Sequence, residues 1–278
     1  MKTIETLVED IYDIIDKGFE PSSKAVEDLI KTVTHSIQRQ FSPKLREDRN
    51  TLRMSNIGKP SCQTWHEINK SSKEPLTPDT RIKFLFGDIV EALLIFLTKE
   101  AGHKITHEQH EVKVDGIKGH LDCKIDDVTV DIKSASSYSF KKFKEGTLSN
   151  NDPFGYIAQV SGYAHAEEDD EAGFLVMDKQ LGKVTYMPVH EMDMIDVPKR
   201  IKELKKIVEA DTPVRCFNAI PDGKSGNMKL DINCSYCAYK DTCWSNANDG
   251  KGLRLFIYSN GPRWLTHVER TPDVKEIV

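Results

Sequence analysis

Gly119-His120-Leu121-Asp122 and Val128-Thr129-Val130-Asp131-Ile132-Lys133 lie on neighbouring segments of this chain, and their reading decides its fold. The alternation in the second segment is that of a strand, which sets Asp131 and Lys133 on one face. A turn at Asp126-Asp127 folds the first segment back and brings Asp122 alongside Asp131. Two carboxylates this close repel unless a cation sits between them. Hard divalent ions such as Mg²⁺ or Mn²⁺ choose oxygen donors of this kind. A lysine on the same face adds a charge suited to a developing anion or to positioning a water.

The remaining composition fits a polar, globular chain. Of 278 residues, 38% are hydrophobic and 30% charged, enough to bury one large core or two small ones. No apolar run is long enough to span a bilayer. The first ten residues carry acids and no continuous apolar stretch, so no secretory signal is expected and a reducing cytoplasm is. There, six cysteines read as metal ligands or buried thiols rather than disulfides. A net charge of −5 gives no global attraction to nucleic acid, though a local basic groove is compatible with it.

Outward from the acidic pair, the elements follow in a simple order. Helical periods run from Ile4 to Phe19 and from a Ser22-Ser23 cap to Pro43. Thr77-Pro78 starts a third helix that Gly102 closes. Glu111–Val114, Ile117–Ile125 and Val128–Ser134 read as strands joined by Asp115-Gly116 and Asp126-Asp127 turns. A basic, loop-like stretch precedes a helix over Tyr156–Ala166. Strands over Ala172–Met177 and Lys183–Val189, a basic helix over Val197–Ala210 and a hairpin between Leu253 and Val268 complete the chain. Helix, three strands, helix, strand predicts one mixed α/β core with additions at both ends.

The pattern G-x-x-D followed by D-x-K, set in this order, resembles the PD-(D/E)xK nuclease superfamily. The resemblance is to its RecB-like branch, with bacteriophage exonucleases and the cluster-bearing nucleases of CRISPR adaptation. It covers roughly residues 78–190, although Leu121 stands where the superfamily's name has proline. The resemblance implies an αβββαβ restriction-endonuclease-like core with a mixed central sheet, a helical N-terminal addition and a cysteine-cluster C-terminal addition. The segments would be 1–76, 77–212 and 213–278, forming one compact unit. It makes Asp122 and Asp131 metal ligands, the Ile132 carbonyl a further ligand, and Lys133 the catalytic lysine. Glu91, in Gly87-Asp88-Ile89-Val90-Glu91, falls where the family places a helical ligand. Gln159 and Tyr163 match Q-x-x-x-Y, and their i, i+4 spacing puts them on one helix face. The activity implied is Mg²⁺- or Mn²⁺-dependent hydrolysis of DNA, by exonuclease action on linear DNA in recombination, repair or phage DNA processing. The alternatives are an endonuclease using the same site and a non-catalytic DNA-binding protein with a zinc-stabilised tail. With no nucleotide-binding P-loop motif, the chain stands alone or works with a recombination or helicase partner. On this reading Lys133→Ala removes cleavage and leaves the fold.

Cys234-Ser235-Tyr236-Cys237 and Cys243 give C-x₂-C-x₅-C, a spacing of soft ligands for zinc or an iron–sulfur cluster. The resemblance favours a 4Fe–4S cluster and supplies Cys62 as the fourth ligand, pinning the tail to the N-terminal half. Cys123 reads as a buried thiol and Cys216 as isolated in a loop. Lys141, Lys142 and Lys144, interleaved with Tyr138, Phe140 and Phe143, suit a groove that tracks a DNA strand and stacks bases. The solvated-loop reading is equally open. His120, two residues before Asp122, is expected to share its face.

Overall fold

The wide apolar stripe of Pro78–Glu100 and the β-branched run of Val128–Ala135 meet in the core of the chain. The computed structural model describes residues 2–42, 51–69 and 76–277. The chain divides into two compact units, Met1–Gly58 with Leu76–Lys202, and Lys59–Pro75 with Glu203–Val278.

In the first unit, α1 (Leu7–Lys17) ends at Gly18, whose φ of 73° suits a residue without a Cβ. Helix α2 (Ser23–Phe41) starts where Ser22 Oγ accepts the Ala25 amide at 3.4 Å. The end expected at Pro43 lies outside the described residues. The next helix of the chain, α3 (Ser61–Ile68), belongs to the second unit. Helix α4 (Pro78–Glu100) has proline at its first position and packs on α2.

The strands are β1 (Ile105–Thr106), β2 (His110–Val114), β3 (Ile117–Leu121), β4 (Cys123–Ile125) and β5 (Val128–Ala135). Next come α5 (Ser137–Lys144), α6 (Tyr156–Glu167), β6 (Glu171–Asp178), β7 (Val184–His190) and α7 (Val197–Val208). The central sheet runs β1-β4-β5-β6-β7, antiparallel except for the parallel β5–β6 pair, while β2 and β3 form a separate hairpin. The fold is thus α/β with a mixed central sheet and helices at its N-terminus. One face packs Leu7 and Ile11 of α1 and Val90 and Leu94 of α4 on Val130, Ile132 and Leu175. The other packs Phe140, Phe143, Ile157, Val160 and Ala164 on Phe174 and Val176.

Two expectations need correction. The continuous strand over Ile117–Ile125 is broken at Asp122, so β3 pairs with β2 and β4 pairs with β5. The basic stretch is not a loop but the helix α5, because Ser136 Oγ caps it and Phe140 and Phe143 supply a buried stripe. These two phenylalanines are core residues, 6% and 2% exposed, and offer no surface to a base.

In the second unit, β8 (Ile220–Pro221), β9 (Met228–Lys229), β10 (Arg254–Tyr258), β11 (Gly261–His267) and β12 (Lys275–Ile277) form an antiparallel sheet in the order β12-β10-β11-β9-β8. The expected hairpin is its centre. Helix α3 belongs here: Trp65 Nε1 donates to the Ala210 carbonyl at 2.7 Å, and the His66 ring stacks on Tyr239.

Candidate active site

The break at Asp122 creates the site. The register Cys123↔Val130, continued by one residue, sets Asp122 opposite Asp131. Beyond that point β5 has no strand partner on this edge among the described residues, and the Ile132 amide donates instead to Asp122 Oδ2 at 2.7 Å. A carboxylate thus replaces a ladder carbonyl, which leads β3 away and holds Asp122 beside Asp131. The turn that returns the chain is Asp126-Asp127, both residues at positive φ (50° and 69°), a two-residue I′-type geometry matched to strand twist.

Glu91 arrives from α4. Gly87, one turn earlier on the same helix face, lies close enough to β5 that a Cβ there would touch Ser134 Oγ at 3.7 Å. Glu91 Oε1 accepts a hydrogen bond from Gln109 Nε2 at 2.7 Å, and the Gln109 amide donates to the Asp122 carbonyl at 3.0 Å. Gln109, at φ 51°, was not singled out in the sequence. Its only signal there is its place just before β2.

Burial dominates the electrostatics. It pushes Asp122 well above the usual carboxylate range, and Asp131 and Glu91 add to the shift. It also raises Asp131, partly offset by Lys133. Glu91 is pushed up to about 7 by burial, then by Asp88 and Asp131. Burial works against the Lys133 ammonium, but Asp131 and Asp122 outweigh it and hold the group above the usual lysine range. Lys133 is paired with Asp131 Oδ2, while the buried Asp131 Oδ1 has no hydrogen-bond partner among the described residues. Lys133 Nζ also lies 5.1 Å from the centre of the Tyr156 ring.

Gln159 and Tyr163 share a face of α6, with Gln159 Nε2 donating to Tyr163 Oη at 3.1 Å. Burial raises the Tyr163 phenol, and Asp131 and Asp122 are both near enough to raise it further. Met54 is wedged between Gly119 of β3 and Gly162 of α6, so a side chain at either glycine would collide with it. Gly58 and Gly155 meet backbone to backbone in the same way. A groove of about 530 Å³ opens beside Tyr163, with Arg53, Ser55, Lys118 and His120 in its lining. His120 is exposed there, 3.9 Å from Glu111.

Among the described residues, no three His, Cys, Asp or Glu side chains converge closely enough, as placed, to grip one ion. For the carboxylates the donor set nevertheless fits a hard cation. The buried Oδ1 of Asp131 has no hydrogen-bond partner among the described residues, Asp131 raises both Asp122 and Glu91, and the Lys133 ammonium already supplies positive charge at Asp131. The Ile132 backbone contributes through its amide, to Asp122.

Five of the six cysteines, all but Cys123, lie in the second unit. Cys216 is not isolated: its Sγ accepts the Cys62 amide at 3.2 Å. The Cys216 thiol, then burial, push Cys62 above the usual thiol range, and Cys243 is close enough to add to this. Burial pushes Cys234 up to about 11, with Cys243 and Cys237 contributing. The donor chemistry is that of a soft-metal site, but the thiols as placed do not form a ligand group. Cys123 is a fully buried thiol of the first unit's core.

No protein-family model matches this chain, and no curated protein matches it. Solved structures do resemble it. An alkaline exonuclease from Laribacter hongkongensis is 15% identical with a TM-score of 0.40, covering 58% of this chain and 90% of its own. The protein SSO0001 is 12% identical with a TM-score of 0.43, covering 75% and 92%. A phage-related exonuclease from Haemophilus somnus 129PT is 14% identical with a TM-score of 0.37, covering 57% and 90%. At these identities and scores the likeness decides no activity, which has to be argued from the chain's own residues.

Proposed function

We propose that this chain is a metal-dependent DNA nuclease of the PD-(D/E)xK type, in its RecB-like branch, acting as an exonuclease on linear DNA. The reading is carried by one observation: Glu91 from α4, Asp122 from the break between β3 and β4, and Asp131 and Lys133 from β5 interact at the open edge of β5. Carboxylates so crowded are costly in a protein without a cation to hold them, and a nuclease has a use for one.

Glu91, Asp122 and Asp131 would hold Mg²⁺ or Mn²⁺, with the Ile132 carbonyl as the further ligand implied by the family. An ion held there would lower the pKa of a water and offset charge on the phosphate. Lys133, held by Asp131 and near the Tyr156 ring, would orient the attacking water or offset charge on the anionic transition state. Gln159 and Tyr163 orient the strand beside it. Arg53 in the groove near Tyr163, and Lys141, Lys142 and Lys144 on α5, suit phosphate contacts. Cys62, Cys234, Cys237 and Cys243 would carry a 4Fe–4S cluster, or Zn²⁺, that holds the second unit together. No helix among the described residues is long and apolar enough to cross a membrane. A cytoplasmic site of action, alongside a recombination or helicase partner, accords with these properties.

The test is digestion of end-labelled linear and closed-circular DNA with Mg²⁺ or Mn²⁺, by wild type and Lys133→Met. Loss of label from linear DNA only, abolished by the variant, is expected. Cutting of the circle replaces the exonuclease reading by an endonuclease, and cleavage unaffected by the variant removes the site assignment. Iron and sulfide analysis of anaerobically prepared protein decides between cluster and zinc.

A further inference from the structure

The turn that leads into α6 holds an aromatic side chain that the core does not need. Asp152-Pro153-Phe154-Gly155 is closed by the Gly155 amide donating to the Asp152 carbonyl at 3.3 Å, with proline at the second position. Asp152 Oδ2 accepts the Ile157 amide at 2.8 Å, tying the turn to the helix start. Gly155, at φ 71°, is locked against the Gly58 backbone. Phe154 is therefore carried on a backbone fixed on both sides, by the turn at Asp152 and by the Gly155 contact, yet the residue is 52% exposed.

Its ring stacks on Tyr156, with centroids 5.4 Å apart and planes 28° from parallel. Tyr156 packs inward on Phe143 and Phe174 and carries Lys133 Nζ over its ring at 5.1 Å. Phe154, Tyr156, Lys133 and Asp131 thus form an unbroken line from solvent to the carboxylates. The basic helix α5 borders the same turn: Lys142 Nζ donates to the Asn151 carbonyl at 3.1 Å and lies over the Tyr138 ring, which is itself 75% exposed.

We propose that Phe154 is a stacking surface for an unpaired nucleobase of the DNA strand whose phosphate is presented to Lys133 and the carboxylates. The inference rests on the nuclease reading above and adds a substrate preference to it. Stacking uses the face that every base possesses, so the contact is tolerant of sequence. It also requires a base released from its partner, so a single-stranded or frayed terminus is engaged before a blunt one. A ring already stacked on Tyr156 carries less ordering cost on binding than an unsupported one.

The experiment uses the whole chain and DNA with 2-aminopurine at successive terminal positions, held in Ca²⁺ in place of the catalytic ion, followed by steady-state cleavage in Mg²⁺. With wild type, fluorescence at one terminal position is quenched and single-stranded overhangs are cut in preference to blunt ends. Phe154→Ala is expected to lose the quench and to raise KM about tenfold at unchanged kcat and Tm, whereas Phe154→Trp keeps both. Quench and KM unchanged in Phe154→Ala, beside a wild type that cuts DNA, overturn the stacking role alone. A wild type that neither binds nor cuts overturns the nuclease reading, and the stacking role with it.

Discussion

Gln109 joins Glu91 to Asp122: its side-chain amide donates to Glu91 Oε1 at 2.7 Å while its backbone amide donates to the Asp122 carbonyl at 3.0 Å. One residue thereby fixes a helical acid relative to a strand acid. Outer partners of this kind orient ligands, and losing them commonly lowers metal affinity about 10- to 100-fold. Gln109→Met, which keeps the length and drops the hydrogen bond, is expected to weaken Mn²⁺ binding about tenfold with little change in Tm. Calorimetric titration of Mn²⁺ into DNA-free protein checks this, and equal affinity in the variant refutes it.

Lys133 is more than a catalytic group in this arrangement. Its ammonium is the ion-pair partner of the buried Asp131, so removing it leaves a carboxylate uncompensated. The sequence-level expectation that the substitution leaves the fold untouched is therefore revised. Lys133→Met should abolish cleavage and cost roughly 3 kcal/mol in metal-free protein near neutral pH. The double variant Lys133→Met with Asp131→Asn should recover most of that loss. Urea denaturation of the three proteins reads it, and a single variant as stable as wild type would contradict the pairing.

Stability should fall with pH through the range in which Glu91 ionises. Its folded pKa of about 7 stands above the ordinary 4.5, so the folded chain favours the protonated acid. No penalty is present below about pH 4.5, it grows as pH rises, and it is complete above about pH 7. A divalent cation binds the ionised form and offsets the penalty. Addition of Mg²⁺ should accordingly raise Tm by several degrees at about pH 8 and hardly at about pH 5. Identical shifts at the two pH values in a thermal melt would show that the acids are not the binding groups.

Gly58 and Gly162 offer a steric contrast. A Cβ on Gly58 runs into the backbone of Gly155, which has no side chain to swing aside. On Gly162 it meets the flexible Met54 side chain. Gly58→Ala should cost about 3 kcal/mol and Gly162→Ala about 1 kcal/mol. Chemical denaturation ranks them, and the reverse order would disprove the backbone contact.

Much of this architecture was legible because it rests on local signals. The Asp115-Gly116 and Asp126-Asp127 turns, the Thr77-Pro78 helix start and the i, i+4 pair Gln159 and Tyr163 all use short-range chemistry. What was hidden depends on distant partners. Nothing local marks Asp122 as a strand break, since the break follows from its carboxylate taking the Ile132 amide on another strand. Nor does Gln109 stand out until its two acceptors are in place. The helix over Ser137–Lys144 was masked by its lysines, because two aromatic residues at i, i+3 make too short a stripe to separate helix from loop. The five-stranded terminal sheet was legible only in its β10–β11 hairpin, its other three strands being two or three residues long.

The membership of α3 in the second unit bears on how the chain can be shortened. Trp65 depends on the Ala210 carbonyl and His66 on the Tyr239 ring, both more than a hundred residues downstream. A chain truncated after Lys202 would keep this helix and lose both partners, exposing an orphaned tryptophan in the middle of the remaining sequence. Isolating the carboxylate-bearing unit therefore calls for two excisions, one at the C-terminus and one that replaces Lys59–Pro75 by a short linker.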